Sequence, residues 1–244
     1  MALALREPAP DVARYAAAEL ELQSFSYIVS HDLAASFRHV SGFSRLLLSD
    51  LGENLTPRQQ AHADHIRAAT DGCMMMMEQL LAFSRVQQKT LERAVQDAMP
   101  IVRLTLLQLG VQIDAAGAEV RLEPLGEVFG DASLLAMAFH HLLDNAIKFR
   151  RPDVPPTITV APAHDAMFWR VRITDNGQGV EPAYREKVFQ MFQRLHGEPH
   201  YPGVGAGLAI CRRIARLHGG EVSLLDSAQG ACVELALPHA AGRA

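Results

Sequence analysis

The sequence predicts an α+β protein built in two parts: a helical hairpin that pairs with a second copy into a four-helix bundle, then an α/β sandwich. Three observations carry this. Up to about residue 90, apolar residues recur at gaps of three and four, the period of one helix face. From about residue 95 the pattern changes to short alternating runs interleaved with shorter helical stretches. Only a short polar break, "SDLGENLTP", separates the two long helical stretches, so they fold back on each other. Residues 12–90 and 95–240 are the two domains this reading marks out.

The first helix follows the Pro8-Ala9-Pro10 breaker, with Asp11 as its N-cap. Leu22, Phe25, Val29, Leu33, Phe37, Val40, Phe43 and Leu47 form its apolar seam. The second helix starts at Thr56-Pro57-Arg58-Gln59. Thr56 suits the N-cap, Pro57 the first helical position, and Gln59 completes a capping box. His62, Ile66, Ala69, Cys73, Met76, Leu80 and Phe83 then make a heptad-like stripe. The methionine run at 74–77 sits at helical spacing and reads as flexible core filler, not as a soft-metal site. A lone hairpin cannot bury both stripes, whereas two copies can, which predicts a homodimer.

In the second part a helix is expected over 97–116, strands near 118–123 and 127–129, and a helix over 132–149. "PTITVAPAHDAMFWRVRITD" carries two alternating runs around a turn at Ala163–Asp165, a strand hairpin. A long polar loop, a helix over 205–218 and two strands, "GEVSLLDS" and "ACVELALP", complete the sandwich.

Bulk properties narrow the function. The net charge of −4 over 244 residues gives no nucleic-acid footprint. No apolar run reaches the roughly 18–20 residues that span a bilayer, and no signal-peptide pattern opens the chain. Cys73, Cys211 and Cys232 lack any pairing or zinc-site spacing, which points to a reduced, cytoplasmic compartment.

Three stretches carry chemistry. In "HHLLDNAIKF" (140–149), Asn145 and Lys148 lie one helical turn apart. An amide oxygen and an ammonium so placed can hold Mg²⁺ and a phosphate chain, although a surface Asn and Lys have the same spacing. In "DNGQGV" (175–180), Asp175 can accept from an adenine amino group while Gly177 and Gly179 let the backbone approach a flat ring; a plain turn reads the same way. "GVGAGLAI" (203–210) places glycines before an apolar helix, where backbone amides can meet phosphate. No P-loop and no His-Arg-Asp catalytic loop is present.

Their order is more specific than any one of them. "FSYIVSHDL" (25–33), "HLLDNAIKF" (141–149), "DNGQGV", "VFQMFQRL" (188–195) and "GVGAGLAI" follow one another as the phosphoacceptor box, N box, first glycine box, F box and second glycine box do in bacterial sensor histidine kinases. The chain resembles that family over residues 15–238, and "FQRLHG…YPGVGAGLAICRRI" is similar to kinases of the phytochrome type. The resemblance implies that the sandwich is an ATP-binding domain of the histidine kinase, gyrase and chaperone type, with about 193–207 as a lid. It implies that Asn145 ligates Mg²⁺, Lys148 faces the phosphates, Asp175 reads adenine and Gly179 lies near the base. By the same resemblance Gly177 belongs to the nucleotide site, Arg194 stabilises the γ-phosphate, and Gly205, Gly207 and Leu208 shape the lid end and the phosphate contacts. His31 would attack the γ-phosphoryl group, with Asp32 orienting its ring, before transfer to an aspartate of a response regulator. His31 stands two residues past Val29, about 200° around a helix, and so should face away from the bundle core.

Several positions depart from the pattern. Ala34, Ala35 and Ser36 replace the Arg, the Thr or Asn, and the Pro of the usual phosphoacceptor box, and the missing Pro removes a helix kink. His141 stands where the N box often has a first Asn, and Ala231 where a Thr is common. An ATP-hydrolysing chaperone or topoisomerase relative would need a Glu at 141. A non-catalytic phosphotransfer or scaffold protein would be expected to lose the glycine boxes, which are kept here. The residues before the first helix are too few for a sensor domain, so an upstream sensor domain or protein is expected as a partner.

Overall fold

The structure, a computed structural model, describes residues 32–52, 55–194 and 203–240. The chain divides after Ser84 into two compact units. In the first, residues 32–51 are helical (α1) and α2 spans Pro57–Gln88. The expected capping box opens α2: Thr56 N–H donates to Gln59 Oε1 at 2.8 Å, and Gln59 N–H returns to Thr56 Oγ1 at 3.3 Å. Where a kinking proline would stand, Ser36 keeps the helix unbroken and its hydroxyl donates to the Asp32 carbonyl at 3.0 Å. Asp11, Leu22, Phe25 and Val29 lie outside the described residues. Ala34, Ala63 and Thr70 are buried, but the large side chains of the stripes are open in a single chain: Phe43 is 71% exposed and Leu47 61%, with Leu33, Val40, Ile66 and Met76 also exposed.

The second unit is a layer of helices on a mixed sheet. Its elements are β1 (Ala94–Asp97), α3 (Ala98–Gln108), α4 (Gly110–Ala116), β2 (Glu119–Leu122), β3 (Glu127–Gly130), α5 (Ala132–Lys148), β4 (Thr157–Ala163), β5 (Phe168–Asp175), α6 (Gly207–Leu217), β6 (Glu221–Leu225) and β7 (Cys232–Pro238). The five-stranded sheet runs β2-β4-β5-β7-β6, with β2 parallel to β4 and the other pairs antiparallel; β1 and β3 form a separate ribbon. Register puts Val160 opposite Ile173, Val171 opposite Leu235 and Trp169 opposite Leu237, so one sheet face is an apolar row. Against it pack Leu135, Phe139, Leu143, Ile210 and Ile214 of α5 and α6, all essentially without solvent contact. Each contributes on the order of 1.5–3 kcal/mol through burial. Trp169 stacks edge-on to Phe139 at 6.5 Å and donates its indole N–H to the Leu125 carbonyl at 2.8 Å, so its one polar atom is satisfied.

Two features differ from the sequence expectation. The helix expected over 97–116 breaks at Leu109, which turns fully into the core while Gly110 starts a new axis. The exposed strand β1 was not expected. It pairs with β3, and Asp97 at its end caps α3 by accepting from Met99 N–H at 2.9 Å.

A buried carboxylate ties the near ends of these elements together. Asp131, 3% exposed, caps α5 by accepting from the N–H groups of Ser133 and Leu134. It also takes Lys89 Nζ at 2.9 Å and Glu92 N–H at 3.2 Å. Burial alone would raise its pKa; Lys89, Ser133 and the backbone donors together hold it well below the usual carboxylate range. The Asp131 N–H donates to Nε2 of buried His218 at 3.0 Å, and the other ring nitrogen, Nδ1, lies 2.8 Å from the Ile214 carbonyl. An imidazole bonded in this way is neutral, with its proton on Nδ1.

Burial pushes the His218 pKa below its ordinary 6.5, with Arg93 and Lys89 adding to this and the Ile214 carbonyl and Asp131 opposing. The native state therefore resists protonation of this ring more than the unfolded chain does. The His218 contribution is whole above pH 6.5 and is lost as the pH falls towards the folded value. The unfolding midpoint should drop between pH 7.5 and 5, and the drop should be shallower in His218→Gln; equal slopes for the two proteins would show that other groups set the pH dependence.

Candidate functional site

Strand β5 ends at Asp175, opposite Ile158 of β4. Its carboxylate is half-buried, and Oδ1 accepts from Gly177 N–H at 2.8 Å and Ala231 N–H at 3.1 Å. Burial raises the Asp175 pKa while these two amides oppose the rise. With Oδ1 fixed by backbone, Oδ2 is the oxygen through which the group can accept from a ligand. The glycines around it are required by close approach. A Cβ on Gly230 would fall 2.6 Å from Asp175 Oδ1, and one on Gly179, which has φ 73°, would fall 2.7 Å from the Gly230 carbonyl oxygen.

The loop is also tied to its neighbours. Gln178 N–H donates to the Phe149 carbonyl at the end of α5 at 3.0 Å. Asn176 accepts from Thr157 N–H and donates to the Pro155 carbonyl, both at 2.9 Å. Sequence reading passed over Asn176, although a short amide side chain at a turn is the residue type that makes such backbone bonds.

Helix α5 presents one face to the core and one to a cleft. Leu135, Ala138, Leu142, Ala146 and Ile147 are buried, whereas His141, Asn145 and Lys148 are half-buried along the other side. The second glycine box crosses that side. A Cβ on Gly203 would lie 2.6 Å from Lys148 Nζ, and one on Gly207 would lie 3.2 Å from His141 Nδ1. Residues 203–207 therefore run along α5 from Lys148 back to His141, about 10 Å of helix, with Asn145 inside the span. Gly205, at φ 75°, rests on the Gln193 carbonyl so closely that no side chain fits, which joins this box to the end of the F box.

Charge in the cleft follows from burial. Lys148 is pushed below its ordinary pKa first by desolvation and also by Arg194, with Asp144 opposing. Arg194 therefore lies within electrostatic reach of Lys148. His141 falls to about 4 through burial and the neighbouring His140, so its ring is neutral at ordinary pH. Gly207 and Leu208 begin α6, whose cap residue, Ala206, offers no side-chain acceptor to the first-turn amides. Those amides and the positive helix end suit a phosphate oxygen. Phe189 of the F box is buried under the guanidinium of Arg212 from α6, 4.0 Å from its ring centroid, and Arg212 also pairs with Glu186 and Glu221.

Of the residues singled out from sequence, Asn145 and Lys148 lie on the side of α5 that residues 203–207 cross, Gly205 rests on Gln193 and Arg194, Gly207 and Leu208 begin α6, and Asp175, Gly177 and Gly179 form the loop bonded to the end of α5. Asp32 is exposed on α1 in the first unit, and His31 lies outside the described residues. Among the described residues no three His, Cys, Asp or Glu side chains converge on a metal position.

Comparison with known proteins matches this arrangement. Residues 130–241 match the family described as histidine kinase-, DNA gyrase B-, and HSP90-like ATPase. Phytochrome-like protein Cph1 of Synechocystis is 30% identical over 204 residues, 84% of this chain and 27% of its own length. Histidine protein kinase DivJ of Caulobacter vibrioides is 30% identical over 93% of this chain and 39% of its own length. Residues 130–241 belong to that ATPase family, and histidine kinases align with most of the chain. The chain spans only about a quarter to two-fifths of these two curated relatives. Among solved structures, the mycobacterial sensor histidine kinase MprB matches 60% of this chain and 97% of its own at 29% identity, with a TM-score of 0.51. Full-length ShkA, solved with AMPPNP, matches 91% of this chain and 47% of its own at 24% identity and a TM-score of 0.62, a likeness of fold. The described helices include none long and apolar enough to cross a membrane.

Asp175→Asn keeps the Oδ1 acceptor but puts an amino group in place of the second acceptor and removes the charge. Adenine-nucleotide affinity should fall by roughly 10- to 150-fold, the equivalent of one charge-assisted hydrogen bond. Calorimetry with ADP checks this, and an unchanged Kd in a folded variant would take Asp175 out of the base site.

Proposed function

We propose that this chain binds ATP with Mg²⁺, phosphorylates His31 and passes the phosphoryl group to an aspartate of a response regulator, working as a homodimer. The observation that carries the nucleotide half is the path of residues 203–207 along the His141–Asn145–Lys148 side of α5. It gathers an ammonium, an amide oxygen and an uncapped helix N-terminus on one cleft, beside a fixed carboxylate that can accept from an adenine amino group.

In this reading Asp175 Oδ2 accepts from the base, with Gly177 and Gly179 leaving room for its plane. The phosphates lie under the glycine box, where α6 amides and Lys148 meet their oxygens. The low pKa of Lys148 reflects an ammonium already stripped of part of its water, which lowers the cost of pairing it with phosphate. Arg194 reaches the γ-phosphate from the F-box side. Asn145 would hold the cation, which would supply charge neutralisation to the phosphate chain. The His31 ring attacks phosphorus in line, the bond to the leaving ADP oxygen breaks, and the product is a phosphoramidate on the imidazole. Asp32, next in sequence, orients that ring.

The exposed stripes of Phe43, Leu47, Ile66 and Met76 support the dimer, because apolar faces of this extent on a hairpin are covered by an equivalent copy. Residence in the cytoplasm and control by an upstream sensor complete the proposal.

Incubation with γ-labelled ATP should give an acid-labile, alkali-stable label that vanishes in His31→Gln; a label that persists in that variant would move the phosphoacceptor elsewhere. Sedimentation at micromolar concentration should give twice the 26.7 kDa chain mass. A 26.7 kDa species with its helices intact would sink the dimer.

A further inference from the structure

Arg212 stands on α6 five residues after Gly207, about 7.5 Å along the axis from the helix start. Its side chain is 15% exposed. Nη1 lies 3.0 Å from Glu186 Oε2 and Nη2 donates to Glu186 Oε1 at 3.2 Å, a two-pronged fork. Nε lies 3.2 Å from Glu221 Oε1 at the start of β6. The guanidinium carbon lies 4.0 Å from the centre of the Phe189 ring. We propose that Arg212 is a positioning residue of the nucleotide site: by clamping Glu186 and Phe189 it sets where Arg194 stands against the start of α6. The inference rests on the nucleotide-site reading and adds to it a residue that acts through Arg194.

The F box beyond this clamp is a run of tight turns. Phe189 N–H donates to the Glu186 carbonyl at 3.3 Å, Gln190 N–H to that of Lys187 at 3.0 Å, and Gln193 N–H to that of Gln190 at 3.4 Å. Its far end lies against the second glycine box. A Cβ on Gly205 would collide with the Gln193 carbonyl oxygen and fall 3.2 Å from Arg194 Cγ. The F box is therefore pinned at both ends, by Arg212 at residues 186–189 and by Gly205 at residues 193–194. Between the pins Phe192 sits at φ 62°, the only positive φ of a non-glycine residue among the described residues. An aromatic residue keeps that conformation only where its surroundings impose it, and two fixed ends are such a constraint.

The fork is better suited to aiming the F box than to holding the fold together. Glu186 is 84% exposed, and an ion pair with so exposed a carboxylate contributes little to stability. A two-pronged pair nonetheless fixes direction, which the point charge of a lysine does not. Phe189 is buried, so its ring gives the guanidinium a seat that does not move with the exposed carboxylate.

The test measures ADP and AMPPNP affinity by calorimetry, with Mg²⁺, in the full chain. ADP lacks the phosphate that Arg194 meets, so the ratio of the two affinities reads the γ-phosphate contact. Arg194→Ala should lower the AMPPNP-to-ADP affinity ratio on the order of tenfold. Arg212→Met should lower it by a similar factor, leave ADP affinity within about twofold, and add nothing further in the Arg194→Ala background. Arg212→Lys should fall between wild type and Arg212→Met, because the charge over Phe189 stays while the fork is lost. Equal loss of both nucleotides in Arg212→Met, an unchanged ratio, or an effect that adds to that of Arg194→Ala overturns the positioning role and leaves the nucleotide site standing. If Arg212→Met does not fold, Glu186→Ala decides by the same ratio, since at that exposed position it breaks the fork alone. Failure of the wild type to bind either nucleotide, or an unchanged ratio in Arg194→Ala, overturns the reading on which the inference rests.

Discussion

A half-buried carboxylate has to be met by donors, and at Asp175 the donors are two backbone amides, one from its own loop and one from the start of β7. Much of the site follows from this. For the Ala231 amide to reach Oδ1, the chain at 230 must pass so close to Asp175 that no side chain fits there. For the loop to leave again, Gly179 must take φ 73° beside the Gly230 carbonyl. The glycines are therefore the geometric consequence of satisfying one carboxylate with main chain. The return is a carboxylate with a fixed orientation and one oxygen left for a ligand, a pre-organised acceptor rather than a mobile side chain.

The second constraint is the rigidity of α5. Its N-terminus is held by Asp131, itself gripped by Lys89 and tied through its own N–H to His218 on the neighbouring helix. Its C-terminus is held by the Phe149 carbonyl, which accepts from the Asp175 loop. Between these anchors the helix acts as a ruler: one side is buried against the sheet, and the other presents His141, Asn145 and Lys148 at fixed intervals. The Asp175 loop and this helix therefore keep a set separation, because they share the Gln178–Phe149 hydrogen bond.

Much of this was readable before any coordinates. The period of 3.6 in the helices, the alternation in β4 to β7 and the Thr56 capping box are local signals, and each appears at its expected place. Apart from the phosphoacceptor box, the other four boxes of the order lie against one another in the second unit. What could not be read depends on partners distant in sequence. β1 is too short and too exposed to alternate visibly, and it exists because β3 lies beside it. Leu109 interrupts a good helix because the core takes its side chain. Asp131 caps α5 through local bonds, but its bonds to Lys89 and Glu92 span some forty residues, and the bond to His218 spans 87.

The same contrast explains why departures from a family pattern are informative in different degrees. Ser36 in place of proline leaves a local trace, an extra hydroxyl bond onto Asp32 in an unbroken helix, and can be understood from the helix alone. Ala231 contributes only its amide to Asp175, so a hydroxyl at that position is not needed to orient the carboxylate. His141 is different. Its ring is half-buried beneath the start of α6, and burial together with His140 keeps it neutral. A residue at such a place is set by the element that covers it, which no local pattern in the sequence announces.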